Sequence, residues 1–166
     1  MKKKSLMAMA AMAFVLGLSS CSSSNNDAPE TPVATQVAGY YAGTETLTVD
    51  GEADESDEVI QITKATDTTV DMVLPAYGEG IMTIPELPVK NIIVAKKGDD
   101  ISGTINGGTY TGTVKNSKGE EKTYTVSDFI LLYNETNKTI IITFKMKYGN
   151  MPFDFEGLFV GNRSLK

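Results

Sequence analysis

The chain has 166 residues, with 21 acidic against 15 basic residues, no histidine and a formal net charge of −6. One domain is the expected count at that length. An acidic surface repels phosphate backbones, which argues against a nucleic-acid partner, and a chain without His lacks the usual general base for nucleophilic catalysis.

The N-terminus reads Met1-Lys2-Lys3-Lys4, then runs uncharged from Ser5 to Gly17. A positive segment followed by a short apolar one is the pattern of a signal peptide. The apolar run falls short of the roughly 20 residues that cross a bilayer. Residues 1–20 are therefore read as a leader outside the fold. Leu18-Ser19-Ser20-Cys21 follows and contains the sole cysteine of the chain. This stretch resembles the lipobox of bacterial lipoproteins. The bland alternative is a secreted protein with an incidental Cys. The resemblance implies a diacylglycerol on the Cys21 thiol, cleavage before it, and acylation of the new amine. Each buried CH₂ adds about 0.8 kcal/mol, and one chain alone holds only marginally, so three acyl chains would anchor firmly. Ser22 stands where an Asp would signal retention in the inner membrane, so the same resemblance implies the outer membrane. The mature chain would carry 12 basic and 21 acidic residues, a net charge of −9.

Residues 21–36 are the lipidated Cys and a polar stretch of Ser, Asn, Asp, Pro, Glu and Thr. It reads as a flexible tether. The folded domain is expected over residues 37–166. There the apolar residues alternate with period 2. Strands are predicted over Gly39–Val49, Glu58–Lys64, Thr69–Leu74, Val89–Lys96, Asp100–Ile105, Thr109–Lys115, Lys122–Leu132, Thr139–Tyr148 and Met151–Val160. Turn signals such as Asp50-Gly51, Gly98-Asp99, Asn106-Gly107-Gly108 and Gly149-Asn150 separate most of them. The proline-rich stretch 75–88 reads as a long excursion, with a short strand around Ile81–Ile84.

The hairpin around Gly149-Asn150 is expected to have a two-residue type II′ turn. That register places Tyr148 opposite Met151, Met146 opposite Phe153 and Phe144 opposite Phe155, with Lys145 facing Asp154 and Thr143 facing Glu156. Pro152 would fall near the turn, where its missing N–H is tolerable.

Eight or nine short antiparallel strands in sequence suggest an up-and-down meander. Closing it into a barrel removes exposed edges, and a two-sheet sandwich is the rival. The stretches "GYYAGTETLTVDG", "LPVKNIIVAKKG" and "YGNMPFDFEGLFVG" together resemble the calycin-like (lipocalin-like) lipoproteins of Gram-negative gut anaerobes. The positions that carry the resemblance are Gly39, Tyr41, Gly43, Thr44, Met151, Pro152, Phe155 and Gly157, within residues 38–161. The resemblance implies an all-β calycin-like barrel of about eight strands and no particular activity. Lipocalins begin Gly-x-Trp, and this chain has no Trp, so their ligand-binding residues do not transfer.

Asp50 to Glu58 holds six carboxylates in nine residues. Ca²⁺ binding is one reading. The EF-hand spacing is absent, and a solvated hairpin loop is the favoured one. Asp154 and Glu156 read as cross-strand ion pairs rather than a glycosidase pair. An inward stripe of Tyr41, Met72, Phe144, Met146, Phe153 and Phe155, with Val70 and Leu74, either lines an apolar pocket or fills the core. No metal, cofactor or catalytic residue is expected. Two functions are expected to compete. One is a non-catalytic binding module for a small apolar ligand, anchored to the membrane through Cys21. The other is an accessory protein with a filled core that docks an envelope protein or glycan through its loops.

Overall fold

A computed structural model describes residues 30–78 and 83–165. The leader, the lipobox with Cys21 and most of the tether lie outside the described residues, as does half of the short strand expected at Ile81–Ile84. Nine strands are present among the described residues: β1 (Gly39–Val49), β2 (Glu52–Lys64), β3 (Thr69–Leu74), β4 (Leu87–Lys97), β5 (Asp100–Ile105), β6 (Thr109–Lys115), β7 (Glu121–Asn134), β8 (Thr139–Tyr148) and β9 (Phe155–Ser164).

All neighbours are antiparallel. β5 and β6 both pair with β7, β5 opposite Leu131–Asn134 and β6 opposite Glu121–Ser127. They are one course of chain, kinked at Asn106–Gly108, where Gly107 and Gly108 take φ +75° and +79°. Glycine adopts that backbone freely. β1 then pairs with β9, Tyr40 opposite Ser164 through Val49 opposite Phe155. Eight courses close into an up-and-down barrel, as expected, and the sandwich is excluded.

Alternation fixes which residues face inward. On β8, Ile140, Ile142, Phe144, Met146 and Tyr148 are buried while the residues between them face out. Large rings fit this narrow lumen because glycines stand opposite them. A Cβ on Gly157 would lie 2.2 Å from Phe144 Cζ, and one on Gly112 would lie 2.5 Å from Tyr124 Cζ. The Tyr124 hydroxyl donates to the Pro88 carbonyl, linking β7 to β4.

One end of the barrel is stoppered. A short helix, α1 (Val33–Val37), tucks Ala34 and Val37 fully into the core. The Tyr41 hydroxyl donates to the Val37 carbonyl at 2.6 Å. Arg163 donates to the Ala38 carbonyl and, at 3.2 Å, to the Tyr133 hydroxyl. Its guanidinium lies 5.9 and 5.7 Å from the ring centres of Tyr41 and Tyr133. The folded part therefore begins before Val37, inside the stretch expected as tether. The opposite end, the mouth, is formed by the Asp50-Gly51 turn, the excursion after β3, the β6–β7 turn and the β8–β9 loop.

Two expectations are corrected here. The acidic run is not a loop: only Asp50 and Gly51 turn, and Glu52–Glu58 is strand, in register with β1 from Val49 to Gly43. Backbone pairing with β1 overrides the poor strand propensity of Asp and Glu. The β8–β9 register is also offset by two residues from the expected one: Met146 faces Phe155, Lys145 faces Glu156, Phe144 faces Gly157 and Thr143 faces Leu158. Met151–Asp154 stays outside the ladder, and Pro152 within it has no N–H to contribute. A shift of two preserves the faces, so Phe155 is still inward. Lys145 pairs with Glu156 at 3.5 Å and with Asp128 at 3.4 Å, not with Asp154.

Candidate functional site at the barrel mouth

β1 presents Tyr41, Gly43, Glu45, Leu47 and Val49 to one side. Tyr41 faces the core at the closed end, and Leu47 and Val49 reach the mouth. Glu45 lies between them and is 1% exposed, the only buried charged side chain among the described residues. Among the described residues its hydrogen-bonded partner is Tyr77, from the excursion after β3, whose hydroxyl donates to Glu45 Oε1 at 2.9 Å. Glu45 Oε2 has no hydrogen-bond partner among the described residues. Tyr77 is held by a two-way bridge to Ile84, with N···O distances of 2.9 and 2.8 Å.

Burial costs a carboxylate its hydration, so the proton is held more tightly. Desolvation pushes the Glu45 pKa up to about 7; the nearby Glu58 adds to this and the Tyr77 hydrogen bond opposes it. Burial and the same carboxyl raise the Tyr77 pKa.

Above this pair lies an open cleft of about 720 Å³. Its apolar walls are Leu47, Val49, Ile84, Met151, Phe153 and Phe155, with Tyr77 among the lining residues. Phe153 and Phe155 meet edge to face, 5.5 Å between centres. Asp50, Glu52 and Asp54 contribute carboxylates to the same lining. Below the cleft the interior is occupied by core side chains.

The residues expected to form an inward stripe are therefore divided. Tyr41, Met72, Phe144 and Met146 are buried in the core cluster. Phe155 joins that core and the cleft wall, and Phe153 is half-buried in the cleft. Glu45 and Tyr77 were not among the sequence candidates. The alternation from Tyr41 does mark Glu45 as an acid on an inward position, whereas nothing in the sequence pairs it with Tyr77. No group of His, Cys, Asp or Glu among the described residues is arranged to hold a metal.

The profile of the calycin-like beta-barrel domain matches residues 37–162. The chain belongs to the calycin-like β-barrel family. This calycin-like chain is similar in fold to the crystal structure of a "putative outer membrane protein" from Bacteroides fragilis, with a TM-score of 0.59 and 19% identity. The match covers 80% of this chain and 53% of that one, so this chain spans about half the neighbour's length. No protein of curated function matches. The calycin-like positions noted in the sequence have visible structural tasks. Tyr41 braces the closed end, Gly157 makes room for Phe144, and Met151 and Phe155 line the mouth.

Proposed function

We propose that this calycin-like chain is a lipoprotein of the cell envelope, acylated on Cys21 and carried on the outer membrane, whose barrel is a non-catalytic binding module. The ligand site is the mouth cleft rather than the barrel interior. The observation that carries this is the cleft itself: about 720 Å³, walled by aliphatic and aromatic side chains, over a core already filled with residues. Pockets for small molecules are commonly of this size and combine apolar walls with a few polar groups. The chain enters the barrel at Thr31–Val37, at the stoppered end.

Native mass spectrometry of the protein purified from its own envelope tests the reading. A small molecule should co-purify, and Phe153→Ser should remove it. A co-purified protein unaffected by Phe153→Ser would instead favour docking. The outer face of β7–β9 would then be the surface concerned, where Leu132, Ile141 and Val160 stand side by side across three strands and all are exposed.

A further inference from the structure

Three features of the mouth share one sign. Asp50, Glu52 and Asp54 line the cleft, and no Lys or Arg does so among the described residues. Lys122 borders the neighbouring hollow beside Met151 and Phe153, but it is paired with Glu120 at 3.0 Å. Beneath the cleft stands Glu45, buried, on the same inward face as the cleft residues Leu47 and Val49. Tyr77 touches both the Glu45 carboxyl and the cleft, so one side chain separates them. Glu45 Oε2 accepts from no donor among the described residues. A buried acceptor without a donor is costly, and a donor brought by a ligand would relieve it. A second donor to this carboxyl is what the site lacks.

We propose that the mouth cleft takes an organic amine with an apolar body: the protonated nitrogen held at the acidic rim and reaching the Glu45 carboxyl past the Tyr77 side chain, the hydrocarbon laid against Phe153, Phe155 and Met151. The proposal rests on the mouth being the binding site and specifies the ligand class. An anionic amphiphile such as a fatty acid is disfavoured, because its carboxylate would meet Glu45, Glu52 and Asp54 with no cation to compensate. A neutral alcohol could satisfy Oε2 but would gain nothing from the rim. Carboxylates beside apolar walls suit a group that is both charged and greasy. The aromatic faces add attraction for a cation.

Three eight-carbon probes differing only in their head groups separate the outcomes: octylamine, octan-1-ol and octanoate, titrated calorimetrically into the full chain. Octylamine should bind about tenfold tighter than octan-1-ol, with octanoate weakest. Glu45→Gln should weaken octylamine about tenfold and octan-1-ol much less. The exposed rim pair Glu52→Gln with Asp54→Asn, which leaves the core intact, should weaken octylamine in the same direction, with an effect that fades in high salt. Octan-1-ol or octanoate binding as tightly as octylamine, with Phe153→Ser abolishing it, would overturn the amine and leave the mouth site standing. If none of the three binds, and the methyl signal of Met151 moves with none, the mouth reading falls with it.

Discussion

Gly157 faces Phe144 across the β8–β9 pair, and the ring occupies the space a side chain on residue 157 would need: Cζ, Cε1 and Cε2 all lie within 2.8 Å of an ideal Cβ there. Even one methyl group must displace a buried ring in a tightly packed wall. Gly157→Ala is therefore expected to destabilise the barrel by about 1–3 kcal/mol, the usual range for overpacking. Urea unfolding would read this as a lower midpoint at constant slope. Val160→Ala, three residues on and facing outward, should change the midpoint little.

Arg163 holds the stoppered end together by serving three groups at once. Arg163→Met keeps an unbranched apolar stem but strands the Ala38 carbonyl and removes the donor to Tyr133. The loss of hydrogen bonds from a charged donor is expected to cost about 2–3 kcal/mol. Lysine is no substitute, since it has no planar fork to span both acceptors or to face both rings. Arg163→Lys should recover less than half of the loss. Hydrogen exchange should quicken most at Val37 and Tyr41 in both variants.

Glu45 sets a pH dependence of known sign. Its folded pKa is raised to about 7 from an ordinary value of 4.5. The folded chain therefore binds the proton more tightly than the unfolded chain does. This favourable contribution is fully present below pH 4.5 and is lost as pH rises through about 7. The wild type should lose on the order of 3 kcal/mol between those limits relative to Glu45→Gln, which cannot ionise. Parallel stability curves for the two proteins from pH 4 to pH 8, each by urea titration, would refute the assignment.

Cys21 gives a prediction independent of the barrel. Cys21→Ser is expected to abolish incorporation of labelled palmitate and to move the protein from the membrane fraction to the soluble one. Equal labelling of wild type and variant would remove the anchor from the proposed function.

Much of the barrel was legible because alternation survives in a half-buried strand. β1, β3, β5, β6 and β8 have the bounds that alternation and turn chemistry predict. β2 is longer than alternation predicts because Glu52–Asp57 looks hostile to a strand, and no local signal shows that β1 will pair with it. The Gly149-Asn150 turn forms, with Met151 N donating to the Tyr148 carbonyl at 3.2 Å, but the ladder resumes only at Phe155, and no local signal shows that Met151–Asp154 will leave it. α1 was invisible: five residues have no helical stability of their own and form only against a core. At the mouth, Phe153 and Phe155 were visible as aromatics, and Glu45 as an acid out of place. Its partner Tyr77 comes from an excursion with no periodicity, 32 residues along the chain, where sequence patterns carry no distance information.

The seam between β1 and β9 decides how such a molecule can be made. The first strand has its final neighbour only when residues 155–164 arrive, long after β1 itself. A polypeptide emerging from its N-terminus cannot complete the circle early. Until β9 is delivered, β1 carries a raw edge. A barrel deprived of β9 would be an open, sticky ribbon where a sealed cylinder should be.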